Sequence, residues 1–253
     1  MVTEAKVVLV TGAARRIGAA IARLLHQQGW NIVLHYYQSA HEAHQLATEL
    51  NQQRASSVVL FNANLADTSQ LVQQLQSSEA YWFDGRLDAI VNNASLFNKT
   101  ELNSDNLAMQ LAQWQTLFTV NAQAPFVLAN LLAPRLGRSH GVIVNITDIH
   151  AHHALRDYSI YCLSKAALAM QTQVLAKELA PDIRVNAVAP GAMDWPEGNN
   201  QLNLEQQQKI IAKTALKRHG QPLYIAQAVS YLLNQADFVT GQTLVVDGGR
   251  TIT

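Results

Sequence analysis

Short apolar runs alternate with longer amphipathic stretches from one end of the chain to the other. The runs are Lys6–Val10, Asn31–Tyr36, Ser57–Phe61, Asp88–Asn92, Gly141–Ile146, Ile183–Val188 and Thr243–Val246, and they are rich in β-branched residues. They are apolar on both faces rather than alternating, the pattern of parallel strands buried between helices. Between them, apolar positions recur at helical spacing over Ile17–Gln28, Ala40–Gln53 and Leu168–Ala180. Seven strands interleaved with helices predict a doubly wound α/β fold, a parallel sheet with helices on both faces. No Pro/Ser-rich linker or internal repeat interrupts the alternation, so residues 1–253 read as a single domain. The least regular stretch, Pro190–Leu204, is dense in Gly, Pro and Asn and follows the sixth strand. Open α/β sheets bind ligands outside the carboxyl ends of their strands, so a substrate lid is expected at about 192–214.

Composition narrows the choice of ligand. The 18 Lys+Arg balance 18 Asp+Glu, and charged residues make up 14% of the chain. A neutral chain lacks the basic excess of a nucleic-acid or membrane-surface binder. The single cysteine, Cys162, excludes a disulfide framework and fits a reducing compartment. The N-terminal residues are unlike a signal peptide, and no apolar run approaches the roughly 18 residues of a membrane span. A cytoplasmic protein is expected.

The first strand runs into Thr11-Gly12-Ala13-Ala14-Arg15-Arg16-Ile17-Gly18 and then a helix. Glycines let a backbone approach a pyrophosphate, and a helix N-terminus offers unpaired N–H groups at the positive end of its dipole. The second strand then discriminates between cofactors. An NAD site places an acid about 20 residues on, at the ribose 2′-hydroxyl. Here the sequence is His35-Tyr36-Tyr37-Gln38-Ser39, without an acid. A carboxylate would repel a 2′-phosphate, whereas His35, Tyr36 and Ser39 can donate to one, and Arg15 and Arg16 supply charge. NADPH is the expected cofactor.

Tyr161-Cys162-Leu163-Ser164-Lys165 opens an amphipathic helix, and its i, i+4 pair shares one face. A free phenol, with a pKa near 10, is a poor acid at neutral pH. A cation about 4 Å away is worth up to about 4 kcal/mol at an effective dielectric near 20. Lys165 would thereby bring Tyr161 toward the working pH.

In this order, the Thr11–Gly18 turn, Asn92-Asn93-Ala94, Asn121, Tyr161-x-x-x-Lys165 and Pro190-Gly191 resemble the short-chain dehydrogenase/reductase family over almost the whole chain. The resemblance implies a Rossmann-like sheet, with Tyr161 as proton donor and Lys165 holding the nicotinamide ribose and tuning Tyr161. Asn121 would organise a proton-relay water. Gly12, Arg15, Arg16, Ile17 and Gly18 would hold the phosphates, and Asn93, Ala94 and Ser95 would line the cofactor. Asn64, where the family commonly has an Asp, and Leu65 would lie at the adenine, and Pro190-Gly191 near the nicotinamide. Members commonly assemble as tetramers through long helices such as Leu107–Leu136 and Ser159–Ala180, so a homotetramer is expected.

Two departures resemble the pteridine reductase branch. Arg16 replaces the middle glycine of the turn, and Asp148 replaces the usual serine 13 residues before Tyr161. His35–Ser39 and Asn92-Asn93-Ala94-Ser95-Leu96-Phe97 are similar to that branch too, although Gln38 stands where it often has Arg. The likeness implies that Ser95 and Phe97 contact a pterin, with Phe97 stacked on it. An ionised Asp148 cannot donate to a ketone oxygen as Ser does. It can accept from the N–H groups of a 2-amino-4-oxo pteridine or help bring a proton to a ring nitrogen. The reaction expected is NADPH-dependent reduction of a ring C=N in a dihydropterin or dihydrofolate, with Tyr161, Lys165 and Asp148 handling protons. Trp195 and Glu197, on the irregular segment, either touch the substrate or serve the lid, with Trp195 as its anchor. One alternative is a carbonyl or 3-oxoacyl reductase of the same family, against which Asp148 speaks. Another is a non-catalytic NADPH-binding sensor, which would have no need of Asn121, Tyr161 and Lys165. His150, His152 and His153 lack the spacing of a metal site, so no metal is expected. Cys162 reads as a packed helix residue.

Overall fold

All seven apolar runs form strands of one sheet. The computed structural model describes residues 5–78, 82–102, 104–195 and 201–253. The strands are β1 (Val7–Val10), β2 (Asn31–Tyr36), β3 (Val58–Asn62), β4 (Ala89–Asn92), β5 (Val142–Ile146), β6 (Arg184–Pro190) and β7 (Thr243–Val246). They lie in the order β3-β2-β1-β4-β5-β6-β7, and every neighbouring pair is parallel. The winding reverses between β1 and β4, and the crevice beyond their carboxyl ends is where such sheets take ligands.

The helices are α1 (Arg16–Gln27), α2 (Ala40–Gln53), α3 (Thr68–Ser78), α4 (Leu107–Phe118), α5 (Ala124–Arg138), α6 (Ser159–Glu178), α7 (Leu204–Ala212) and α8 (Pro222–Asn234). Successive strand side chains point to opposite faces, so each strand serves two cores. Val8 and Val10 join Ile21 and Leu25 of α1 and Ile225 and Val229 of α8. Val7 and Leu9 face the other way, toward Leu71 of α3, Leu128 and Leu132 of α5 and Leu175 of α6. Each such side chain, fully buried, contributes about 1.5–3 kcal/mol.

Between α4 and α5 the helix widens instead of ending. Thr119–Gln123 forms a π-helical turn, making Leu107–Arg138 one helical run. Pro125 accounts for the widening: it has no N–H to give the Asn121 carbonyl four residues back. The turn buries Asn121 completely. By length and composition this run could cross a membrane, which corrects the expectation that no stretch could. Half of its apolar window is buried in the molecule, and Leu128, Leu132 and Leu136 belong to the core beneath the sheet.

Within the expected lid, α7 begins with a reciprocal cap. The Asn203 side chain accepts from Gln206 N at 2.9 Å, and the Gln206 side chain accepts from Asn203 N at 3.0 Å. Residues 196–200, including Glu197, lie outside the described residues. The C-terminal residues grip the far end of this segment, with Leu216 N donating to Gly248 O and the Thr253 hydroxyl to Lys213 O.

Candidate active site

The turn after β1 is stitched to the end of β4. Thr11 Oγ1 accepts from Asn93 N at 2.9 Å and Ala94 N at 3.0 Å, while Asn93 Nδ2 donates to Thr11 O and Gly12 O. Gly12 takes φ +61°, and a Cβ at Gly18 would stand 2.1 Å from Gly12 O, so both positions require glycine. Helix α1 therefore starts close against the turn. Among the described residues no side chain caps its N-terminus, and its first turn holds no acid. This bare, positively polarised helix start at the sheet's switch point fits a dinucleotide pyrophosphate.

His35 has a different task from the one expected. Its ring is buried, with Nδ1 accepting from Gly12 N at 3.0 Å and Nε2 3.1 Å from Ala63 O. Both nitrogens serve the backbone, so His35 braces the turn and offers no donor to a 2′-phosphate. Burial draws its pKa down to about 4. Tyr36 and Ser39 remain at the end of β2 and the start of α2, and Ser39 makes no side-chain capping bond there. Asn64 accepts from Ala66 N through its own side chain, and Leu65 beside it is buried.

The two arginines diverge. Arg15 lies 3.8 Å from the Glu42 carboxylate. Arg16 adopts φ +52°, a left-handed conformation that costs a non-glycine residue roughly 1–2 kcal/mol. From there its guanidinium donates to Asp194 O and Trp195 O, each at 3.3 Å, and lies 3.9 Å from the Asp194 carboxylate. Arg16 thus joins the nucleotide turn to the first residues of the lid. The Trp195 ring packs on His219, with centroids 5.2 Å apart. Gly191 N donates to Val246 O, and a Cβ at Gly191 would meet Asp247 Cα at 2.8 Å, so the β7 connection by itself demands glycine there.

At the carboxyl ends of β4 and β5 the remaining predicted residues converge. Asp148 heads a short 3-10 turn, its Oδ1 accepting from His150 N at 2.8 Å. Its Oδ2 accepts from the Tyr161 hydroxyl at 2.6 Å. Tyr161 is buried, and burial followed by the Asp148 charge holds its phenol well above the ordinary value. Lys165 is buried as well; its ammonium donates to Ile146 O at 2.9 Å and sits 5.9 Å from the Tyr161 ring centroid. Burial draws Lys165 down to about 8. The expectation that Lys165 brings Tyr161 toward neutrality is therefore corrected: the phenol's immediate partner is a carboxylate, which stabilises its protonated form.

The Asn121 side chain is fully engaged. Its oxygen accepts from the Ser95 hydroxyl at 3.1 Å and Leu96 N at 2.8 Å. Its nitrogen donates to Leu96 O and to Ser164 Oγ, each at 3.0 Å, and Ser164 in turn donates to Tyr161 O. This amide locks the Ser95–Leu96 backbone to the catalytic helix. Phe97 follows, its ring parallel to Tyr158 within 10° at 4.3 Å and edge-on to Tyr161 at 4.7 Å. Sequence reasoning missed Thr11, Tyr158 and Ser164. Tyr158 was detectable as an aromatic residue three positions before Tyr161, at the entry to the same helix.

A nucleotide-binding helix start and a buried Tyr–Lys pair at the same end of a parallel sheet define a nicotinamide-dependent oxidoreductase. A family model described as enoyl-(acyl carrier protein) reductase matches residues 12–251. The chain belongs to the short-chain dehydrogenase/reductase family. It is 38% identical to nodulation protein G of a Rhizobium sp., covering 95% of each chain. It is 33% identical to a 3-oxoacyl-[acyl-carrier-protein] reductase of a Synechocystis sp., covering 98% of each. It is 32% identical to pteridine reductase 1 of Leishmania tarentolae, covering 98% of this chain and 97% of the relative.

Proposed function

We propose that the protein reduces a ring C=N bond of a dihydropterin or dihydrofolate with NADPH. The observation that carries this reading is the Asp148–Tyr161 hydrogen bond of 2.6 Å. A ketone reductase needs two neutral donors on the carbonyl oxygen. Here one of them is an acceptor, and it accepts the hydrogen bond of the other. That pair suits a substrate that presents N–H groups and needs a proton at nitrogen.

When bound, NADPH supplies the hydride taken up by the C=N carbon. The ring nitrogen then requires one proton. Tyr161 carries a proton at the site, and Asp148 fixes its direction. Lys165, drawn down to about 8, can return a proton to the pair. Phe97 offers an aromatic face to a flat heterocycle, and Ser95 a hydroxyl beside it. NADPH over NADH is favoured by the end of β2, where Tyr36 to Ser39 bring no carboxylate toward a 2′-phosphate. The likeness to 3-oxoacyl reductases favours a second reading, reduction of a carbonyl, against which Asp148 is the discriminating residue.

We also propose a homotetramer. Leu111 and Trp114 on α4, with Leu163 and Met170 on α6, are exposed apolar side chains, as are Leu244 and Val245 on the edge strand β7. Two separate patches, each paired about its own two-fold axis, build a tetramer.

The test of function is NADPH or NADH oxidation with dihydrobiopterin, dihydromonapterin, dihydrofolate and folate beside 3-oxoacyl and simple ketone substrates. Turnover of the dihydropteridines with NADPH is expected. Turnover of the ketones alone would overturn the reading.

A further inference from the structure

We infer that Tyr158 is a specificity-determining positioning residue: it holds the Phe97 ring in one plane and so sets where a flat substrate lies relative to the Tyr161 hydroxyl. This rests on the pteridine reading above and concerns how the same site selects its substrate.

The Phe97 backbone is pinned on both sides. Leu96 gives its N–H and its carbonyl to Asn121, at 2.8 and 3.0 Å. Three residues beyond Phe97, Thr100 N donates to Asp157 O at 2.7 Å, and the Thr100 hydroxyl lies 3.1 Å from Gln113 Oε1. These bonds fix the main chain, and the ring itself meets Tyr161 at an edge and Tyr158, the residue after the Asp157 anchor, face to face. Tyr158 is 8% exposed, and its ring lies parallel to Phe97 within 10°. The same Phe97 ring meets Tyr161 at 81°.

Tyr158 immediately precedes α6, its carbonyl accepting from Cys162 N at 2.9 Å, and Tyr161 lies in the first turn of that helix. Both contact points of Phe97 thus lie at the entry to one helix, which also carries the proton-bearing hydroxyl. The aromatic wall and the hydroxyl keep a constant relation when neighbouring loops move. A flat bicyclic ring exploits this, because its tilt against the wall decides which ring nitrogen meets Tyr161, and such sites tolerate only about 0.5 Å of error. An acyclic ketone, with no plane to register, gains little. An aliphatic residue at 158 would remove the face-on contact of the Phe97 ring and loosen its plane.

The experiment compares Tyr158→Leu, Tyr158→Phe, Phe97→Leu and the double Tyr158→Leu/Phe97→Leu variant with the unaltered protein. It reads steady-state dihydrobiopterin reduction, NADPH Kd by fluorescence titration, and thermal melting. Tyr158→Leu should raise KM for dihydrobiopterin about three- to tenfold, the worth of one aromatic pair, with kcat and NADPH Kd within about twofold. Tyr158→Phe should match the unaltered protein, because the ring and not the hydroxyl acts. The double variant should be no worse than Phe97→Leu alone, because Tyr158 acts through Phe97. An unchanged KM in Tyr158→Leu, additive losses in the double variant, or equal harm from Tyr158→Phe would each overturn the inference. So would a parallel loss of NADPH affinity and melting temperature. Failure of the unaltered protein to bind or reduce any dihydropteridine, with ketone turnover intact, would instead overturn the pteridine reading itself.

Discussion

Acidifying the protein from pH 7 to pH 4 should weaken it through one buried imidazole. The His35 ring accepts from Gly12 N at Nδ1 and faces Ala63 O with Nε2, so the neutral ring protonated at Nε2 satisfies both neighbours. A second proton, on Nδ1, would set N–H against N–H in a buried site. Burial is the larger influence and draws the pKa from 6.5 to about 4, with the Ala63 carbonyl opposing it. In the unfolded chain His35 takes up its proton near pH 6.5, while the folded protein resists until about pH 4. Between these values the unfolded state binds more protons, so stability falls as pH falls. At 1.36 kcal/mol for each pKa unit, the whole difference is about 3 kcal/mol. Urea unfolding at intervals from pH 4 to 7 measures it, with His35→Asn as the reference. The Asn amide oxygen can still accept from Gly12 N but does not titrate. His26, also held below its ordinary value, titrates in both proteins and cancels. The unaltered protein should lose about 3 kcal/mol more than the variant across the window. Parallel curves, or a His35 imidazole NMR signal titrating near 6.5, would refute the reasoning.

Lys165 predicts a slope at the alkaline end. Its folded pKa of about 8 lies below its ordinary 10.5, so between these values the unfolded chain holds a proton the folded one lacks, and stability rises with pH by about 3 kcal/mol. Lys165→Met should flatten that rise in denaturant titrations from pH 8 to 10.5; a rise of the same size in the variant would assign it elsewhere. Gly18→Ala drives a methyl group to 2.1 Å from Gly12 O and should cost about 1–3 kcal/mol, lowering the melting temperature by about 2–4 °C for each kcal/mol and weakening NADPH binding. An unchanged melt would contradict the close approach of α1 to the turn. Asp148→Ser should lower kcat/KM for dihydropteridines about a hundredfold while leaving NADPH Kd within about threefold. Equal losses in both would remove Asp148 from proton handling.

The sheet was legible because buried parallel strands are continuous apolar runs, and all seven appear within about two residues of their expected bounds. Asn121, Asp148, Tyr161 and Lys165 were legible as a set because motif spacing carries over to the strand ends and one helix face. What the spacing could not show was direction. Helical spacing brings Lys165 near Tyr161, yet nothing in it reveals that the Ile146 carbonyl takes the ammonium while Asp148 takes the phenol. Arg16 reaches Asp194 and Trp195, which are 178 and 179 positions away, so only the folded path of the chain after β6 reveals its partner. His35 reads as a surface donor beside exposed Tyr37, and only its burial turns it into a brace. The π turn was hidden inside a continuous helical pattern, with Pro125 as its sole signal.

That widened turn lets one surplus residue serve the site without disturbing the core. Five residues occupy Thr119–Gln123 where a regular helix would use fewer for the same advance along its axis. The turn absorbs the surplus by widening, so Leu128, Leu132 and Leu136 keep their place against the sheet while Asn121 is carried to Leu96 and Ser164. Deleting one of the five would restore an even helix and leave that leucine face in the core, and the loss would fall on Asn121 and its bonds. Fold and site can thus be separated at this turn by a single residue.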